Sequence, residues 1–135
     1  MLKVNVNGTN IGTIESNLSN FTKNIMDATM DQLHIMATNI IHQSQIEVPK
    51  DTTALVNSAF IVEEDNSIIM GYGGPNTKIN PKTGMLTEEY ALLVHEDLNM
   101  QHLNGGKAKF LEDPFREVTS DLETNLVQPL QSIFK

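Results

Sequence analysis

Cysteine and tryptophan are both absent from the 135 residues. Without cysteine there is no disulfide, no thiolate nucleophile and no Cys-ligated zinc, and the redox compartment goes unreported. Aromatic side chains are few, five Phe and two Tyr, so aliphatic groups must fill most of any core. Positive charge is scarce: nine Lys and Arg stand against 17 Asp and Glu, a formal net charge of −8. A field of that sign repels phosphate and argues against a general nucleic-acid binder or a polybasic membrane-surface protein. No apolar run approaches the ~20 residues that span a bilayer, and no basic-then-apolar signal segment leads the sequence. The expectation is a soluble protein that works where it is made. At 15.0 kDa the chain has the size of one ordinary domain, expected to cover residues 1–135.

What is present reads as an α+β arrangement. Leu2 to Val6 alternates apolar and polar residues, the period of a half-buried strand. Asn7-Gly8 suits a tight turn, with a return strand over Ile11–Ile14. From Asn17 to Ile46 there is neither Pro nor Gly, and Leu18, Phe21, Ile25, Ala28, Leu33, Met36 and Ile40 recur mostly in steps of three and four, with Met26, Met30, Ala37 and Ile41 flanking them. That stripe predicts an amphipathic helix, capped among Ser16 to Asn20 and ending near Glu47, ahead of Pro49. Such a helix is roughly 40 Å long, against a diameter of roughly 36 Å for a compact globule of this chain length. It must kink, project, or lie against a neighbouring molecule.

Asp51-Thr52-Thr53 offers a cap for one short turn through Asn57. Ala59–Val62 and Ile68–Met70 predict two strands joined by the acidic turn 63–66. Residues 71–85 and 97–109 have the glycine, proline and polar content of long surface loops. Tyr90–Val94 is a compact apolar run that fits a further strand. Asp113-Pro114 opens a second helix carrying Phe115, Val118, Leu122, Leu126, Leu130 and Ile133, with a kink or frayed turn expected at Pro129. The sum is an antiparallel sheet of about four strands with a long first helix and a C-terminal helix packed on it.

Candidate chemistry is thin. His34 and His42 are eight apart, too far for one ion, and His95-Glu96-Asp97 with His102 lacks the i+4 histidine of a zinc-protease helix. The glycines at 71, 73 and 74 are followed by Pro75-Asn76 instead of Gly-Lys-Ser/Thr, so no phosphate loop forms. No Gly-x-Ser-x-Gly elbow occurs, and the carboxylate pairs 63–64, 88–89 and 112–113 are adjacent and diverge, as solvated surface does. The expectation is therefore no enzyme, no metal and no cofactor. Five of the nine bases (Lys78, Lys82, Lys107, Lys109, Arg116) cluster over residues 78–116, either as a docking patch or as solubilising loop charge. Met26, Met30 and Met36 on the first helix fill core gaps or suit a surface that repacks against a partner.

Three stretches, in order, resemble the small neck proteins of tailed bacteriophages. Pro49 with Asp51-Thr52-Thr53-Ala54-Leu55-Val56-Asn57-Ser58 is similar to their P, D-T-G-x-L-x-x-S segment, with Thr53 where that family usually has glycine. Tyr90-Ala91-Leu92-Leu93-Val94-His95-Glu96 resembles their Y-A-x-x-V-H/E-E segment. Lys107-Ala108-Lys109-Phe110-Leu111-Glu112-Asp113-Pro114 resembles the A-K-F-L-x-x-P/A that leads into their last helix. Order and spacing agree over about residues 20–128. The resemblance implies a non-enzymatic head–tail joining or tail-completion protein, located in the virion neck and in the host cytoplasm during assembly. It implies a homo-oligomeric ring, a hexamer or dodecamer, between portal or adaptor and tail proteins, through which DNA passes without sequence-specific binding. Subunit contacts are carried over to the matching residues Tyr90, Leu92, Val94, His95, Glu96, Lys107, Lys109, Phe110 and Leu111. An acidic lumen would let DNA slide without sticking. Alternatives are a tail terminator or minor capsid protein, a small hydrolase using the His95 group, or an acidic protein-binding module.

Overall fold

The computed structural model describes residues 8–50, 53–100, 102 and 105–134. One helix dominates. α1 runs Gly8–Glu47, 40 residues and therefore about 60 Å. It stops where expected: Val48 makes the last i−4 bond, to the Ser44 carbonyl at 2.7 Å, and Pro49 follows. The Lys50 ammonium donates to the Ile46 carbonyl at 2.8 Å, satisfying one of the acceptors every helix end leaves over.

At the other end α1 begins well before the expected cap. Ile11–Ile14, read as a strand, is helical, as is Gly8 of the expected turn. The apolar stripe continues through them at helical spacing, and that outweighs the weak local preference of Gly, Asn, Ser and Thr. The candidate strand Leu2–Val6 lies outside the described residues.

The sheet has two strands, not four: β1 (Ala59–Glu64) pairs antiparallel with β2 (Ser67–Tyr72), from Ala59 opposite Tyr72 to Glu64 opposite Ser67. Asp65 opens the two-residue turn at φ 53°, the left-handed geometry such a turn uses. The second correction concerns Tyr90–Val94, which belongs to α2 (Thr87–Glu96). Thr87 and Val94 are buried and Tyr90 and Ala91 half-buried, while Leu92 and Leu93 face outward. That is helical periodicity, and Glu88 and Glu89 in the first turn suit the positive end of the helix dipole.

α3 (Glu112–Thr119) contains Pro114 in its first turn, and a π turn over Glu123–Val127 leads into α4 (Gln128–Ile133). This C-terminal run lies antiparallel along α1. Phe134 meets Phe21 edge-on at 6.2 Å between ring centres, and Phe115 and Thr119 line a gap with Leu33, Met36 and Ala37. Pro129 has no N–H for the Asn125 carbonyl, so the helix widens there. Gln32 of α1 supplies the missing donor: its Nε2 reaches that carbonyl at 2.7 Å.

The 71–85 segment is tied down rather than loose. Thr87 Oγ1 accepts from the Lys78 N–H at 2.6 Å, and the Thr87 N–H donates to the Lys78 carbonyl at 2.9 Å. Asn80 beneath it is 2% exposed.

Candidate functional site

Val48, Leu55, Tyr72, Val94 and Phe110 form one buried cluster, with Val56, Ala59, Tyr90, Ala91 and Leu111 packed around it. Phe110 sits at its centre. Its ring meets Tyr72 edge-on at 5.3 Å and His95 edge-on at 5.0 Å. The Tyr72 hydroxyl shares a 2.8 Å hydrogen bond with Ser44 of α1, itself fully buried. Burial pushes the Tyr72 phenol up to about 12, against a smaller opposing effect of the Ser44 bond.

Each of the three motif segments contributes to this cluster: the first through Leu55 and the unspecified Val56, the second through Tyr90, Ala91 and Val94, the third through Phe110 and Leu111. Leu55 and Ser58 of the first are buried, and the Ser58 hydroxyl donates to the Leu55 carbonyl at 2.7 Å. Val94 of the second is fully buried, whereas its two unspecified positions, Leu92 and Leu93, are 65% and 52% exposed. Phe110 and Pro114 of the third are buried. Thr53, standing where glycine is usual, has φ 62°.

Around Phe110 the chain builds a polar junction from the end of α2 and the start of α3. The His95 carbonyl accepts from the Lys109 N–H at 2.8 Å. The Glu112 N–H, unpaired in its own helix, donates to His95 Nε2 at 3.3 Å. That assigns the ring proton to Nδ1, where Glu96 Oε1 accepts it at 2.7 Å. The Lys109 ammonium lies 2.6 Å from Glu96 and 3.1 Å from Glu112, and Arg116 completes the chain 2.6 Å from Glu112. Lys109, then His95, hold the Glu96 carboxyl below the usual carboxylate range. Lys109, then Arg116, do the same for Glu112, and Glu96 and Glu112 raise Lys109 in return. Nearby, Lys107 pairs with Asp113 at 2.9 Å and Glu47 at 3.2 Å, and its N–H donates to the Glu47 carbonyl.

Potential ligand atoms of His95, Glu96 and Glu112 lie within 4.8 Å of one another. They are already committed: the Lys109 ammonium bridges the two carboxylates, and both ring nitrogens of His95 have partners. The arrangement does the work of a clamp, tying α2 to α3. His34 and His42, both exposed on α1, take no part in it.

The expected contact residues thus divide. Val94 and Phe110 are 0% and 1% exposed and present no surface to a neighbour, and Tyr90 and Leu111 are half-buried against the core. His95, Glu96 and Lys109 belong to the junction. Leu92 is open, and Lys107 is half open within its ion pairs. Of the five clustered bases, Lys107, Lys109 and Arg116 are paired with carboxylates. Sequence reasoning missed Glu112 as the hub, although its i+4 spacing to Arg116 and i−3 spacing to Lys109 carry a signal. Beside the junction runs a shallow groove of about 520 Å³ lined by Ile68, Ile69, Met70, Leu111 and Phe115 as well as His95 and Glu112. Among the described residues no helix is long and apolar enough to cross a membrane. No family model, no curated protein and no solved structure matches this chain.

Proposed function

We propose that the chain is a non-enzymatic structural subunit of a tailed-bacteriophage virion, which oligomerises into a ring at the head–tail junction and leaves a passage for DNA. The observation that carries this reading is the convergence of three short motifs, apart in sequence, on the Leu55–Val94–Phe110 core. Leu55, Ser58, Val94, Phe110 and Pro114 among their specified positions are buried, whereas Thr53 and Glu96 are exposed, and two of their unspecified positions, Leu92 and Leu93, point outward. Thr53 adds to it: its left-handed backbone is the conformation for which glycine is the usual residue. The neighbour-dependent part of the reading rests on α1, whose length exceeds what the other described residues cover. The net charge of −8 favours DNA sliding past without adhesion.

Electron microscopy of virions assembled from the encoding genome, with and without this gene, tests the proposal. Loss of the gene is expected to leave filled heads and finished tails unjoined, with the restored protein located at the neck. Normally joined particles in its absence overturn it.

A further inference from the structure

We propose that Leu2–Val6 of one copy adds as a strand to the open outer edge of β2 in a second copy. The hairpin register shows which backbone groups are open. The Gly73 N–H donates to the Ser58 carbonyl at 3.0 Å, one step beyond the Ala59–Tyr72 pair. Hydrogen-bonded pairs alternate in an antiparallel ladder, so Phe60–Gly71, Val62–Ile69 and Glu64–Ser67 are the bonded ones. Ile61 and Glu63 of β1, and Ile68 and Met70 of β2, therefore turn their N–H and C=O outward. Among the described residues nothing pairs with those of Ile68 or Met70. The two edges differ. On β1, Asn76 Nδ2 caps the Ala59 carbonyl at 2.8 Å, and Glu63 sets a charge on the open stretch, both of which protect an edge. Over Ile68–Met70, β2 carries no charge. The 520 Å³ groove lies there, shared with Leu111 and the 46% exposed Phe115.

The occupant is in the sequence. Leu2, Val4 and Val6 alternate with Lys3 and Asn5, a strand pattern with one apolar face to bury. At the β2 edge that face enters the groove, and Lys3 and Asn5 stay in water on the side of Ile69. Main-chain bonds supply affinity and the alternate side chains supply fit. The hairpin of the same copy is out of reach. Ile68 and Met70 line a gap with Leu33, Met36, Ala37 and Ile40 of α1, and from Gly8 to Leu33 that helix climbs about 38 Å. Val4 stands four residues before Gly8, a span of about 14 Å when fully extended, and even Leu2 reaches only about 21 Å. Donor and acceptor are thus held apart within one copy, and another copy must bring the donor. Because the two are different surfaces, such a contact is heterologous and closes a ring where the rotation allows.

This inference goes beyond the neck reading and stands independently of it. The chain has no cysteine of its own, so introduced pairs report the contact in full-length protein. Chains with Lys3→Cys or Asn5→Cys, mixed with chains carrying Ile69→Cys and oxidised, should link at twice the 15.0 kDa mass. Val62→Cys is similarly exposed but lies on the far side of Ile69. It should link about tenfold less, standing one strand spacing farther away. Asn5→Cys and Ile69→Cys placed in one dilute chain should not close within that copy. Sedimentation of the cysteine-free chain should show assembly that rises with concentration. Val4→Asp should abolish it and Asn5→Ser, on the polar face, should keep it. Val4 precedes α1, so Val4→Asp should retain the parent's helicity by circular dichroism. Links that favour Val62, links only between two donor segments, closure within one copy, or single mass throughout overturns the inference. Linking as expected, together with virions that join normally without the gene, would uphold it while ending the neck reading.

Discussion

Thr53 holds a β-branched side chain at φ 62°, where Cβ crowds the backbone and costs on the order of 1–3 kcal/mol. Its carbonyl still accepts from the Asn57 N–H at 3.0 Å, so the turn it makes is needed. Thr53→Gly relieves the strain at some cost in unfolded-chain entropy and should stabilise the fold by about 1 kcal/mol, read as a higher urea midpoint. The junction residues respond to pH instead. Glu96 and Glu112 titrate below their ordinary 4.5 in the folded chain, so their contribution is complete above that value and fades as pH falls through the lowered range. Lys109 is raised above 10.5, so its share is complete below that value and fades as pH rises through the raised one. Thermal midpoints measured against pH should fall at both extremes. Lys109→Met should flatten both limbs. The groups are exposed, and the effect is correspondingly small.

Among the elements, the C-terminal run shows how one missing donor is repaired from elsewhere. Pro129 strips the Asn125 carbonyl of its helical partner and Gln32 replaces it at 2.7 Å. Gln32→Leu should therefore cost about 1–2 kcal/mol. It should cost less in a Pro129→Ala background, where the backbone N–H returns. A double-mutant cycle by denaturant unfolding reads that coupling. The end of α1 before Pro49 was legible because proline acts locally, as was a disturbance near Pro129, although it takes the form of a π turn over Glu123–Val127. So was the β1–β2 hairpin, with its β-branched runs and acidic turn. α2 was not, because Tyr90–Val94 taken alone is five apolar residues without a period. Extending the window to Thr87 exposes the 87, 90/91, 94 spacing. The start of α1 misled for the opposite reason: local propensity in Gly8–Asn20 argues against the helix that the long-range stripe sustains. No local pattern foretells that Ser44 meets Tyr72, or that Gln32 meets Asn125, since the fold alone brings residues 28 and 93 positions apart together.

Taken as a whole, the chain has a small core at one end of a helix that continues past it. Phe110 belongs to the cluster that all three motif segments enter, and its ring touches both Tyr72 and His95. Truncation to Ala should cost about 3–5 kcal/mol, a large part of the 5–15 kcal/mol that typically holds a domain together. Phe110→Ala is expected to be partly unfolded at 37 °C, detected as loss of near-ultraviolet dichroism and faster proteolysis. Gly106 secures the same end of the molecule. A Cβ there would stand 2.5 Å from Pro49 Cα, so the loop before Phe110 and the end of α1 are fitted backbone to backbone.

The buried Tyr72 phenol gives the chain an optical gauge of its own. With no tryptophan and only two tyrosines, alkaline difference absorbance is a nearly private signal of these rings. A phenol that ionises at about 12 instead of 10.0 keeps its colourless form while the hydroxyl remains shared with Ser44. Unfolding releases it to the ordinary value, so the folded state loses ground as pH climbs from 10 towards 12. At a fixed alkaline pH between those values, a rise in phenolate absorbance would report the last turns of α1 lifting away from the hairpin, before any change in mass or helicity is seen.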